Sequence, residues 1–66
     1  MRITLVQIIE SGKGRKEVGI AVESLKWWHD DGDHGYVTFI DSTNMDVVEN
    51  KAEIDRKIAE EEKRLA

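Results

Sequence analysis

The densest chemistry in the chain lies in WWHDDGDHGY, residues 27–36, which gathers two tryptophans, two histidines, three aspartates and a tyrosine. Imidazoles and carboxylates at this spacing are the ligand types of a divalent metal, or the acid–base partners of a hydrolytic centre. Which of these is open to them depends on strand register. If Asp31-Gly32 is the two-residue turn of a hairpin, His29 stands opposite His34, Trp27 opposite Tyr36 and Leu25 opposite Thr38. The two imidazoles would then face each other, with Asp30 and Asp33 beside them, in a constellation able to hold a cation.

Burial argues against that register. It sets Leu25 and Trp27 on the face opposite to Val37 and Phe39, so one apolar set must point at water. One more residue in the loop brings Leu25 opposite Phe39 and Trp27 opposite Val37, all on the core face. Trp28 and Tyr36 then pair on the outer face, and His29 and His34 point to opposite sides. Burying four large apolar side chains contributes roughly 1.5–3 kcal/mol each, against about 0.2–1 kcal/mol for a cross-strand pairing preference. The longer loop is therefore expected. HDDGDH reads as a solvated turn of the usual Asp and Gly residues, with no metal and no cofactor. It also lacks the glutamate and spacing of an EF-hand. No further histidine exists to complete a hydrolytic centre.

SGKGRKE, residues 11–17, is the second candidate. Glycines expose backbone N–H groups and Lys13, Arg15 and Lys16 add charge, as in an anion-contacting loop. The spacing is not that of a nucleotide-hydrolysing phosphate loop and no helix follows, so a flexible hairpin loop is expected. The third candidate is the outer pair Trp28 and Tyr36, flanked by Lys26. Two aromatics side by side on a sheet can stack bases or anchor a protein interface. Lys13, Arg15, Lys16, Lys26, Trp28 and Tyr36 are thus the expected ligand- or partner-binding residues, and no catalytic residue is assigned. Nothing in the sequence brings Glu23, Glu49 or the tail carboxylates in pairs into an apolar pocket that would raise a pKa for acid–base work.

These residues must be positioned by a small body. Sixty-six residues make one domain, residues 1–66, and a chain this short buries only roughly 60% of its unfolded surface. There is no cysteine, hence no disulfide or thiolate metal framework to compensate, and self-association is the remaining common remedy. RITLVQII, residues 2–9, is apolar on both faces of a strand, Ile3, Leu5 and Ile9 on one and Val6 and Ile8 on the other, and needs cover on both. Val18, Ile20 and Val22 alternate as a second strand, residues 24–29 form a third, residues 36–40 a fourth and residues 45–48 a short fifth after the DSTN turn. Asn50 with Glu53 three residues on is a capping box opening a helix over 50–65. Ile54, Ile58 and Leu65 give that helix a narrow apolar stripe, and Glu53 to Lys57 and Glu60 to Arg64 are expected ion pairs. The fold class expected is α+β: a small antiparallel sheet or open barrel of four to five strands, spanning about 2–48, followed by one C-terminal helix.

Fourteen acidic against ten basic residues give a net charge of −4, which argues against a protein whose main business is coating nucleic acid. The charge is uneven: residues 1–28 carry +2 and residues 29–66 carry −6. A basic loop and an acidic tail on one small body could take an anion at one end, or pair head to tail with a second copy. The first apolar run is too short to span a bilayer and lacks signal-peptide architecture, so a cytoplasmic protein without membrane contact is expected.

VTFIDSTNMDVVENKAEIDRKI, residues 37–58, resembles the C-terminal half of the small bacterial FlbD and SwrD type flagellar proteins. That family shows a strand, a polar turn, a second strand ending in Val-x-Glu and then a Glu-containing helix with a terminal Ile. Val47, Glu49, Glu53, Ile54 and Ile58 match without a gap, and ITLVQI sits where the family begins. The chain departs from the pattern in the longer GKGRK loop, in Ser42 where the turn usually has glycine, and in the tryptophan pair. VVENKAEIDRKIAEEEK also looks like the end of the carbon-storage regulator family, swapped dimers that bind RNA. Their Leu-Thr-Arg element is here Leu5-Val6-Gln7, and Lys51 stands where an arginine precedes the helix, so most RNA-binding positions are absent. Neither family is enzymatic. The residues themselves read as a small homo-oligomer acting by binding, through a protein partner held by the Trp28, Tyr36 and Lys26 face or the acidic helix or, alternatively, through an anionic nucleotide or RNA held by Lys13, Arg15 and Lys16 with Trp28.

Overall fold

The computed structural model describes residues 1–9 and 12–66. The chain forms β1 (Arg2–Ile9), β2 (Gly14–Ala21), a 3₁₀ turn (Val22–Ser24), β3 (Leu25–Asp31), β4 (His34–Phe39), β5 (Asn44–Val47) and α1 (Lys51–Leu65). The strands make one antiparallel sheet in the order β2-β1-β5-β4-β3, not closed into a barrel, so the class is α+β. No helix among the described residues is long and apolar enough to cross a membrane.

The hairpin β1–β2 sets Ile3 against Ile20 and Leu5 against Val18, and the alternation of side chains sends both pairs to one face. β4 and β5 add Val37 and Val47 to that face, and α1 lays Ile54 on it. Ile3, Leu5, Ile20, Val37, Val47 and Ile54 are the buried apolar centre, with Val18, Val22, Leu25, Trp28, Phe39, Met45 and Ile58 packed around it.

The seam between β1 and β5 is short, and Gln7 with Val47 is its one ladder pair among the described residues. It is extended by Val48 N–H donating to the Val6 carbonyl at 2.8 Å. The Val6 N–H in turn donates to both oxygens of the buried Glu49 carboxylate, at 3.0 and 3.2 Å. Glu49 thus continues the ladder with its side chain after its backbone has turned toward the helix. That turn carries the Glu49 carbonyl directly over Gly35, where a Cβ would collide with it.

α1 begins as the sequence predicts. Asn50 accepts from the Glu53 N–H at 2.9 Å and the Glu53 carboxylate accepts from the Asn50 N–H at 3.4 Å. A second carboxylate, Asp30, accepts from the Lys51 N–H at 2.8 Å and ties the helix to β3. The ion pairs differ from expectation: they join Lys51 to Asp55, Arg56 to Glu60 and Arg64 to Glu61. The acid-then-base pairing Glu53–Lys57 yields because Glu53 is taken by the cap. Leu65 is 57% exposed, so the last turns are solvated, as the stripe implied.

Candidate functional site

The β3–β4 hairpin turns on two residues, Gly32 and Asp33, with Asp31 opposite His34. Gly32 has φ 69° while Asp33 keeps an ordinary negative φ, the pattern of a turn that demands glycine first. From there the pairs run Asp30 with Gly35, His29 with Tyr36, Trp28 with Val37 and Trp27 with Thr38. A register shift between Leu25 and Trp27 then inserts Lys26 as an extra residue and returns Leu25 to Phe39. The expected longer loop is not found: a two-residue turn placed one position later, together with this bulge, replaces that register. Leu25 does meet Phe39, but Trp28, and not Trp27, shares the core face with Val37. A regular strand cannot place both Leu25 and Trp28 inward, since they are an odd number of residues apart; one extra residue makes it possible.

Three expectations change with it. Trp28 and Tyr36 are not an outer pair but lie on opposite faces. Trp28 is half-buried toward the helix, and its indole N–H donates to Asp55 at 2.8 Å. Asp55 also receives Lys51 Nζ at 2.8 Å, and these two partners, Lys51 first and Trp28 second, hold its carboxyl below the usual range. Tyr36 is half-buried on the other face with its ring 5.2 Å from His29. Trp27 is the exposed tryptophan, at 51%, with the Lys26 ammonium 4.6 Å from its ring centroid. Lys26, Trp27, Trp28 and Lys51 line a groove of about 220 Å³ between the bulge and the start of α1.

The basic stretch is not one loop. β2 already begins at Gly14, so Arg15 and Lys16 are strand residues opposite Ile8 and Gln7, projecting to alternate faces. Only Lys13 sits in the turn beside Gly12, whose φ is 90°. The Arg15 guanidinium donates to the carbonyls of Gly12 and Gly14 at 2.8 and 3.0 Å. Residues 10 and 11, the start of that stretch, lie outside the described residues. The six expected binding residues therefore divide into three places. Lys13, Arg15 and Lys16 belong to the β1–β2 hairpin, Lys26 and Trp28 to the opposite edge beside the helix, and Tyr36 to the face that the helix leaves bare.

That bare face gathers residues that sequence reasoning kept apart. His29 and His34 do not point to opposite sides; the register puts both on it. His34 Nε2 stands 2.9 Å from Asp46 Oδ1 and 3.7 Å from Asp31 Oδ2, and its Nδ1 is 3.1 Å from Asp33 Oδ1. Hydrogen bonds accepted by Asp33 first and Asp46 second raise the His34 pKa above its ordinary value, and His34 in return lowers that of Asp33. One donor atom each from Asp31, His34 and Asp46 lies within 4.8 Å of the other two. Asp46 is the residue the sequence reading missed. The alternation of the fifth strand, with Met45 and Val47 inward, was the signal that sends it to this face.

Alternation adds Val6 and Ile8 of β1 and Val48 beyond β5 to the same surface. Val48 remains 43% exposed on it, while Thr38, on the same face beside Trp27, is buried. The result is a face with apolar side chains in the middle, acidic groups around His34 at one end of the β3–β4 hairpin and Arg15 at the β2 edge.

Compared with known proteins, the chain matches no family model, no curated protein and no solved structure.

Proposed function

We propose that this protein is a non-enzymatic binding module that assembles with a second copy of itself through the bare face of its sheet. The observation that carries the reading is the composition of that face: Trp27, Val48, Val6, Ile8 and Tyr36 lie on one side of the sheet while α1 covers only the other. Two such faces can stack at the roughly 10 Å spacing of packed sheets. A two-fold axis parallel to the strands sets the β2 edge of one copy over the β3 edge of the other. The small core supports the same reading, because a chain of this size is marginal alone.

Sedimentation equilibrium tests it. The expected mass is twice the 7.6 kDa of one chain, falling to one chain in Val48→Asp while the circular dichroism of the sheet is kept. A single-chain mass for the unsubstituted protein at all concentrations would sink the reading.

The groove of Lys26, Trp27, Trp28 and Lys51 favours a second reading, an anionic ligand with an aromatic ring such as a mononucleotide. Indole faces supply stacking and the ammoniums supply charge. Its discriminator is tryptophan fluorescence titrated with mononucleotides and short RNA: saturable quenching lost in Trp27→Ala but kept in Val48→Asp separates ligand binding from self-association.

A further inference from the structure

We propose that Asp31, His34 and Asp46 form a site for one divalent first-row metal ion, with Zn²⁺ as the fitting case. The donors come from β3, β4 and β5, three neighbouring strands whose register fixes their backbones: Asp31 is paired with His34, and Asp46 with Tyr36 two residues on from His34. Zn²⁺ holds imidazole nitrogen and carboxylate oxygen at about 2.0–2.2 Å, which in tetrahedral geometry puts neighbouring donors roughly 3.3–3.5 Å apart. The Nε2 to Asp46 and Nε2 to Asp31 separations, 2.9 and 3.7 Å, bracket that value. The third separation, between the Asp31 and Asp46 donor atoms, is within 4.8 Å.

The fourth group, Asp33, has the place of an outer-shell carboxylate. At 3.1 Å from Nδ1 it can accept the Nδ1–H, which leaves the Nε2 lone pair aimed at the two remaining carboxylates. Metal-bound histidines are oriented in this way, their second nitrogen given to a carboxylate. The imidazole distinguishes this cluster from an ordinary group of surface acids, since it supplies a borderline nitrogen donor that first-row ions prefer over Mg²⁺ or Ca²⁺. The His34 side chain is 27% exposed and those of Asp31 and Asp46 are 60% and 46% exposed, so an ion can enter from solvent and keep water in its open positions. Three carboxylates converging on one imidazole leave a net negative charge that a dication offsets. The inference does not rest on self-association, because all four groups belong to one chain.

The test uses the full chain, stripped with chelator and titrated with Zn²⁺ by calorimetry, with Co²⁺ as a spectroscopic probe of nitrogen and oxygen ligation. One ion per chain is expected. His34→Gln and Asp31→Asn should each weaken binding by at least about tenfold, and Asp33→Asn by roughly 10- to 100-fold as for an outer-shell group. His29→Gln, on the same face but outside the cluster, should bind as the unsubstituted protein does. Absence of saturable binding, a ratio other than one ion per chain, or equal losses in His29→Gln and His34→Gln would overturn the proposal. Asp31 lies at the exposed end of its hairpin, so its variant reports even if a substitution inside the sheet fails to fold.

Discussion

At the scale of single residues, two positions do more than their types announce. Asp55 joins the helix to β3 by accepting from Trp28 while pairing with Lys51. Its folded pKa is lowered, so the stability it contributes is present above its ordinary value of 3.8 and is lost as pH falls through the lower folded value. The Trp28 indole N–H resonance should therefore titrate with a midpoint below 3.8, and in Asp55→Asn that step should vanish. Gly35 is the second position. Its φ is ordinary, so glycine is required by space alone: the Glu49 carbonyl crosses where a side chain would begin. Gly35→Ala must displace the segment that carries both the Val6 N–H partner and the helix cap. Forced overpacking costs typically 1–3 kcal/mol and occasionally more. With backbone as the obstacle, a loss of at least about 2 kcal/mol in urea unfolding is expected; a loss below about 0.5 kcal/mol would show that the crossing relaxes freely.

At the scale of elements, legibility follows how local the determining physics is. The capping box of Asn50 and Glu53 needs only four consecutive residues and was readable in full. The alternation of Ile3, Leu5, Val18 and Ile20 likewise gave two strands and their inward face. The β3–β4 register was half readable. Leu25 opposite Phe39 follows from burial, but the bulge at Lys26 depends on how the helix later fills the space over Trp28, which no local pattern carries. The acidic cluster was illegible for the same reason, since Asp46 reaches His34 through the pairing of β4 with β5. The DSTN turn shows a conflict at element scale. Ser42 adopts φ 74°, a left-handed conformation that favours glycine, and it is held there by Asp41 accepting from the N–H and hydroxyl of Thr43. Relief of that strain, roughly 1–2 kcal/mol, is partly offset by the added freedom of unfolded glycine, about 0.4–1 kcal/mol. Ser42→Gly is expected to raise stability by about 0.5–1 kcal/mol in urea unfolding. A decrease would mean that the serine side chain contributes more than its backbone costs. Asn50→Ala should lower it by about 1 kcal/mol.

At the scale of the whole molecule, the question is how so few buried side chains sustain a fold. Six apolar residues form the centre, the sheet is joined across β1 and β5 by a short seam, and the last turns of α1 are solvated. If the bare face closes against a second copy, the native state is linked to association, and mass action makes its stability depend on protein concentration. The melting temperature should then rise steadily between about 5 and 500 µM chain, because only the assembled state gains the contacts of Trp27, Val6, Ile8 and Val48. Val48→Asp places a charge in that contact without touching the helix-covered core, where Val47 and not Val48 is buried. It should abolish the concentration dependence and leave the melting temperature of the dilute protein nearly unchanged, since a surface substitution away from the core usually moves stability by no more than about 0.5 kcal/mol. A melting temperature independent of concentration in the unsubstituted protein would mean that the bare face stays open to water. The roughly 60% of surface that a chain of this length buries would then be enough for its stability, and Trp27 with its apolar neighbours would be free for a different partner.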